Sequence, residues 1–282
     1  MVVTTGELLR SLTARLANAA VPSPQADARW LVRHVLGWSA ADLTLRRAEV
    51  IDDHVVALVL AAGERRARRE PLQLILGGTD FRGIELELRP GVFVPRAETE
   101  LLAELASVRV GSRDVVVEPC TGSGAVACAI AADHPGARVL ATDRDGGAAA
   151  LARHNAGRLG LDVEVLGGWL LEPLPADLRG RIDVIVANPP YLADGEVDDL
   201  EPEVAVWDPE AALVAGPTGH EVSDALIAES VLWLRPGGWL VMEHDERRVD
   251  EVADRACAAG LRDILVHPDL TGRSRFMTAR TP

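Results

Sequence analysis

From residue 114 onward, short apolar runs of strand length alternate with stretches of helical character, and this alternation limits the fold more than any other feature. The runs are Asp114–Glu118, Val139–Thr142, Val163–Leu166, Ile182–Ala187 and Gly238–Glu243, with Leu261–His267 and Arg275–Ala279 closing the series. Most are rich in Val and Ile, and residues 219–234 and 245–259 between them read as helices. Strand–helix alternation of this kind specifies an α/β doubly wound sheet. Such sheets bind ligands beyond the carboxyl ends of their strands, so the turns after the strands are where chemistry is expected.

The first turn is Pro119-Cys120-Thr121-Gly122-Ser123-Gly124. Gly122 and Gly124 leave room for a ligand to approach the backbone and the start of the following helix. The second strand ends in Asp143, 19 residues beyond Gly124, where a carboxylate would accept hydrogen bonds from ribose hydroxyls. Neither a fuller glycine set nor a Lys-Ser/Thr pair is present, so a phosphate-free nucleoside fits better than a nucleotide. S-adenosyl-L-methionine is the common one, with Glu118 near its amino-acid end. Trp169, after the third strand, offers a flat apolar wall for adenine or an anchor for its own loop.

The fourth strand runs directly into Asn188-Pro189-Pro190-Tyr191. Two prolines fix φ twice and send the chain off the sheet along one path. The turn gathers the Asn188 amide, the carbonyls of Asn188 and Pro189, and the single Tyr of the chain. Acceptors beside an aromatic wall suit a planar target bearing an NH₂ group.

Residues 1–70 read as a helical domain. Thr4 and Glu7 form a capping box, Leu8, Leu9, Leu12 and Leu16 share a helical face, and Ser23-Pro24 opens a second helix that would bury Trp30, Leu31 and Val35 and stop near Gly37. A third helix is expected over residues 40–47, and a fourth from Asp52-Asp53 to the run Arg65–Arg69. Four helices without a glycine loop or a paired acid and base suggest docking rather than chemistry. Residues 71–97 form a connector with a hairpin turning at Arg82-Gly83, and its Phe93 and Arg96 would line a substrate channel. Residues 98–282 make the α/β domain, and the acidic stretch 192–217 is expected to loop over the site.

A formal charge of −14 argues against a broad nucleic-acid surface, although residues 1–70 carry ten Arg against eight Asp or Glu. Three Cys without zinc spacing, and no apolar run near the roughly 18 residues of a membrane span, suggest a cytoplasmic protein without metal or membrane contact. His154, His220, His244 and His267 show no metal spacing and are expected to be solvated or capping residues.

These motifs together resemble the HemK/PrmC family of peptide-chain-release-factor glutamine N5-methyltransferases over nearly the whole chain. The resemblance is carried by Asn188–Tyr191, by Thr121–Gly124 with Asp143, and by Phe93-Val94-Pro95-Arg96 with Glu98-Thr99-Glu100. Leu200–Val204, Asp208-Pro209 and Asp269–Arg273 add to it. The chain departs from the family pattern at Glu118-Pro119-Cys120, where Asp-Leu-Gly is usual, at Ala97 in place of Pro, and at Gly168 in place of an acid. The family implies a Rossmann-like methyltransferase sheet of seven strands with the last antiparallel, a helical N-terminal domain and a hairpin linker. It implies methyl transfer to the side-chain amide of the Gln in a release factor's Gly-Gly-Gln loop. Asn188, Pro189, Pro190 and Tyr191 would then form the catalytic and substrate-binding motif, joined by Phe93 and Arg96. Glu118, Cys120, Thr121, Gly122, Ser123, Gly124, Asp143 and Trp169 would hold the cofactor, with Asn188 beside it.

Two other readings use the same residues. One is a methyltransferase acting on an amine of a nucleic-acid base or small molecule; the acidic balance and the lack of a basic target-reading domain oppose its DNA form. The other is a non-catalytic S-adenosylmethionine-binding scaffold, which the intact Asn188–Tyr191 motif opposes.

Overall fold

Leu8, Leu12 and Leu16, four residues apart, are buried along one face of the first helix, as their spacing requires. The computed structural model describes residues 3–282. Their contacts divide the chain into two units, Met1–Gly78 and Thr79–Pro282.

In the first unit, a short strand β1 (Val3–Thr4) leads into α1 (Thr5–Asn18), α2 (Pro24–Leu36) and α3 (Ala40–Leu45). Strand β2 (Val50–Ile51) pairs with β1, and α4 (Asp53–Ala67) and α5 (Leu72–Leu76) complete the unit. The Thr4 box forms in both directions: Glu7 N donates to Thr4 Oγ1 at 3.3 Å, and Thr4 N donates to the Glu7 carboxylate at 2.9 Å. Ser23 occupies the cap of α2 without a side-chain hydrogen bond, and Gly37 ends that helix at φ 65°. Trp30 is not core. The buried face of α2 runs through Asp27, Ala28, Leu31 and Val32, so Trp30 falls beside it, 48% exposed, under the Arg33 guanidinium at 4.5 Å. The helical unit also extends past residue 70, because Ile75 of α5 is buried against its leucine core.

In the second unit, a hairpin of β3 (Gly78–Phe81) and β4 (Ile84–Glu87) turns through Arg82 and Gly83, both at positive φ. Buried Phe81 and Leu86 seat it on the main core. Fully buried Asn155 ties it to the first ligand loop, accepting from Glu87 N and donating to the Glu87 and Ser123 carbonyls at 2.9–3.0 Å. The hairpin is thus fastened to the α/β unit.

Helix α6 (Thr99–Ser107) precedes the sheet. Strand β5 (Val115–Pro119), α7 (Ala125–Asp133), β6 (Arg138–Asp143), α8 (Gly146–Leu159) and β7 (Val163–Gly167) build one half. The other half is β8 (Ile182–Ala187), the short pair β9 (Leu192–Ala193) and β10 (Val214–Gly216) with α9 (Pro202–Ala205) between them, then α10 (Glu221–Trp233), β11 (Leu234–Glu243), α11 (Val249–Ala258), β12 (Arg262–Pro268) and β13 (Ser274–Arg280). The seven-stranded order is β7-β6-β5-β8-β11-β13-β12, and β13 runs antiparallel to both neighbours. The last strand is therefore antiparallel, as expected. Val117, Leu140, Ile185 and Leu240 belong to one apolar layer and Val116, Val139, Val184 and Val241 to the other, so the central strands β5, β6, β8 and β11 are covered on both faces. The chain moves outward from β5 through β6 to β7, then returns to β8 on the other side. The crevice between the ends of β5 and β8 is the topological switch point.

Candidate active site

A cavity of about 420 Å³ opens at that switch point. Every residue assigned to a site from the sequence lines it except Gly124, whose backbone caps α7. The loop after β5 forms its floor. Gly122 (φ 56°) has open space where a Cβ would be, so its backbone is free to meet a ligand. Gly124 (φ 82°) serves packing instead. A Cβ there would lie 3.0 Å from that of Ala152, so glycine permits α8 to approach closely. Cys120 also sits at positive φ (58°), a conformation that costs a non-glycine residue about 1 kcal/mol. Burial pushes its thiol up to about 12, so it is an unreactive wall.

Two carboxylates brace this loop. Glu118, 4% exposed, accepts from Thr121 Oγ1 at 2.5 Å and from Ala127 N at 2.8 Å. Burial nevertheless pushes its carboxyl up to about 8. Asp143 accepts from Gly122 N and Asp145 N, both at 2.9 Å, and burial raises its carboxyl as well. Each oxygen of Asp143 keeps a lone pair for a hydroxyl donor. Arg144 lies 5.3 Å from the Trp169 ring centroid, stiffening that wall, and donates to the Ala211 carbonyl at 2.8 Å. A Cβ at Gly168 (φ 155°) would lie 3.0 Å from the Pro173 ring, so an acid there would be strained and would press on that ring.

The Glu118 shift predicts a pH dependence of stability for the ligand-free protein. The folded state holds a proton there between the ordinary carboxylate range and about pH 8, whereas the unfolded chain has released it. Stability from this group is therefore greatest at acid pH and falls as pH rises, by about 1 kcal/mol per pH unit across that window. Melting temperatures from about pH 5 to pH 8 should fall more steeply for the wild type than for Glu118→Gln. Parallel curves would contradict the shift.

At the end of β8, Pro189 and Pro190 are buried, and Asn188 and Tyr191 are half-buried. Asn188 Nδ2 donates to Thr99 Oγ1 at 3.3 Å, and Thr99 Oγ1 donates to Glu243 Oε2 at 3.1 Å. The Asn188 Oδ1 oxygen remains as the acceptor of that amide. Tyr191 OH donates to Glu243 Oε1 at 3.3 Å, and Arg275 Nη2 donates to Tyr191 OH at 3.4 Å. Burial pushes the Glu243 carboxyl up to about 7 and raises the Tyr191 phenol further above its usual range.

Phe93 and Arg96 reach the same cavity from the segment after the hairpin. Arg96 lies 5.0 Å from the Phe93 ring centroid and is ion-paired with Asp208, whose side chain is fully buried and also accepts from Val94 N at 3.1 Å. Its charge is committed to holding the 200–213 segment at the rim. Leu200, Val204 and Leu213 of that segment line the cavity.

Glu243 and Arg275 carry no functional signal of their own in the sequence, and Thr99 and Asp208 enter only through the stretches that carry the family resemblance. The available signal is positional: Glu243 closes an apolar strand at the same sheet edge as Glu118, Asp143 and Asn188. Of the histidines expected to be solvated or capping, His220 stands at the N-cap of α10 and meets Glu251 at 2.7 Å, whereas His244 is buried, its Nδ1 3.0 Å from the Asp245 carbonyl. Among the described residues no cluster of His, Cys, Asp and Glu could hold a metal, and no helix is long and apolar enough to cross a membrane.

A switch-point cavity in a seven-stranded sheet with an antiparallel last strand defines the Rossmann-like methyltransferase class. Residues 7–77 match the PrmC N-terminal domain model, and residues 84–206 match the methyltransferase small domain. The release factor glutamine methyltransferase of Corynebacterium glutamicum is 42% identical over 284 residues, 99% of both chains. That of Deinococcus radiodurans is 42% identical over 276 residues, 97% of both. The solved catalytic domain of hMettl16, crystallised with an RNA hairpin, shares the fold with TM-score 0.57 at 16% identity, covering 78% of this chain and 81% of that one. The chain belongs to the release factor glutamine methyltransferase family.

Proposed function

We propose that this protein transfers a methyl group to the side-chain amide nitrogen of the glutamine in the Gly-Gly-Gln motif of a peptide chain release factor. S-adenosyl-L-methionine is the donor, and the reaction takes place in the cytoplasm, where release factors work. One observation carries the reading beyond family membership. The Asn188 amide commits its NH₂ to Thr99 and keeps Oδ1 as an acceptor, beside the Pro189 carbonyl and the Tyr191 ring, on the same cavity as the glycine loop.

The residues fit the cofactor. Gly122 leaves space over its backbone, Asp143 keeps acceptor capacity for ribose hydroxyls, Trp169 offers an aromatic face, and Glu118 lies under the loop. When bound, the cofactor supplies an electrophilic methyl group on a sulfonium.

The chain's own residues must make a poor nucleophile attack. An amide nitrogen delocalises its lone pair into the carbonyl. Asn188 Oδ1 and the Pro189 carbonyl each accept one of its hydrogens, which aims the nitrogen and favours loss of conjugation as the new bond forms. Tyr191 walls the planar target, and Phe93 lines its approach. The methylated nitrogen is strongly acidic and releases its proton to water, so no dedicated base is required. The helical unit, which carries no comparable cavity chemistry, docks the protein substrate.

Labelled cofactor offered to a mixture of release factor, ribosomal RNA and DNA should label the release factor alone. Label on nucleic acid would favour the base-methylating reading. Removing residues 1–78 should leave cofactor affinity near wild type and cut release-factor labelling severely; undiminished turnover would dismiss the docking role.

A further inference from the structure

The hydrogen bonds behind the Asn188 motif converge on one residue. Strand β11 is paired with β8 so that Met242 faces Ala187, which places the next residue, Glu243, level with Asn188 at the sheet edge. Glu243 is 2% exposed, and each carboxylate oxygen receives one hydroxyl: Thr99 Oγ1 on Oε2 and Tyr191 OH on Oε1. We propose that Glu243 is a positioning residue for methyl transfer, setting through Thr99 which face of the Asn188 amide meets the substrate and through Tyr191 where the aromatic wall stands. This rests on the glutamine-amide reading above and adds a residue to it.

Counting donors fixes the orientation. An ionised carboxylate only accepts, and a hydroxyl has one hydrogen to give. With its hydrogen committed to Glu243, Thr99 Oγ1 can only accept from Asn188. It must therefore face the NH₂ of that amide and not its oxygen, which leaves Oδ1 for the substrate. Tyr191 follows the same logic: its hydrogen goes to Glu243, and its oxygen accepts from Arg275 Nη2 at 3.4 Å. Were Glu243 protonated, one hydroxyl would lose its acceptor and be free to turn. A Thr99 hydroxyl aimed at Asn188 would draw Oδ1 toward itself and present the NH₂ to the target, donor against donor.

The groups around the carboxylate are Thr99 of α6 and Glu98 at its N-cap, Tyr191 from the turn after β8, Arg275 from β13, and the chain neighbours His244 and Asp245. Burial outweighs Arg275 and brings Glu243 to about 7. The Asp245 carboxyl is held down by Arg247 and burial raises the Tyr191 phenol far above its usual range, so neither titrates near neutrality, and burial moves His244 below its usual range. The sign follows: the accepting, ionised form predominates above about pH 7, so the transfer rate should fall as pH is lowered through that value.

The test is single-turnover methylation of purified release factor at saturating cofactor across pH, with cofactor affinity measured by calorimetry. Glu243→Gln should transfer methyl about 10- to 100-fold more slowly at pH 8, the scale of losing an orienting partner, with cofactor affinity unchanged. It should also lack the wild type's inflection near neutrality, a change that a loss of packing alone would not produce. Thr99→Val, which keeps shape and loses the relay, should be slowed about 10-fold, and Thr99→Ser should recover most of that loss. A Glu243→Gln enzyme as fast as wild type with the same pH profile would overturn the role, as would equal rates for the two Thr99 variants. If Glu243→Gln does not fold, the Thr99 pair decides alone. A wild-type enzyme that leaves the release factor unlabelled would instead overturn the glutamine-amide reading, and this role with it.

Discussion

Asn188→Ala is expected to slow methyl transfer by about 10²-fold or more, the scale of losing one preorganised polar contact at a reacting centre. The residue sits where β8 leaves the sheet, and two buried prolines fix the path behind it. The path itself should survive the substitution, so the loss reads the acceptor and not the fold. Single turnover with saturating cofactor isolates the chemical step, and cofactor affinity should change little. Pro189 acts through its carbonyl, which Pro189→Ala retains, so that variant should be damaged less. A fully active Asn188→Ala enzyme would reduce the motif to a strand-ending turn.

Gly122→Val is expected to abolish cofactor binding. Two effects act in the same direction. The position is at φ 56°, where a β-branched side chain is strained, and the space above it, empty of protein atoms within 4 Å, is the space the ligand needs. Its N–H also fixes the Asp143 carboxylate, so a shifted backbone would disturb the ribose acceptor as well. Calorimetry on the folded variant reads this directly, and unchanged affinity would remove the cofactor from this loop.

Strands β5, β7 and β8 are legible in the sequence because valine and isoleucine runs mark parallel strands of the sheet, and residues 182–187 form a strand with the bounds their pattern predicts. The ligand loops are legible because glycine, proline and a terminal acid act locally, through backbone conformation and strand ends. What stays hidden depends on partners far along the chain. Helix α5 is masked by Pro71, which reads as a break although it caps the helix, and the helix is stable only because Ile75 is buried by the rest of its unit. Asp27 and Arg66 form an almost fully buried ion pair at 2.7 Å between α2 and α4, and nothing local announces it. Trp30 is expected inside on hydrophobicity, yet its angular position on α2 puts it outside, under Arg33. Thr99 and Glu243 are 144 residues apart, and they reach the same motif only through the β8–β11 register and the placement of α6. Arg96 can be placed at the site from sequence, but that its charge is satisfied by Asp208 cannot.

If Asn188–Tyr191 presents a glutamine side-chain amide for methylation, the product itself must show it. The measurement that meets this most directly is fragment mass analysis of a release factor after incubation with enzyme and isotopically labelled S-adenosylmethionine. One labelled methyl group on the side-chain nitrogen of the Gly-Gly-Gln glutamine, absent with Asn188→Ala enzyme, is the predicted result. A methyl group on any other residue, or an unmodified release factor in the presence of cofactor-competent enzyme, would contradict it.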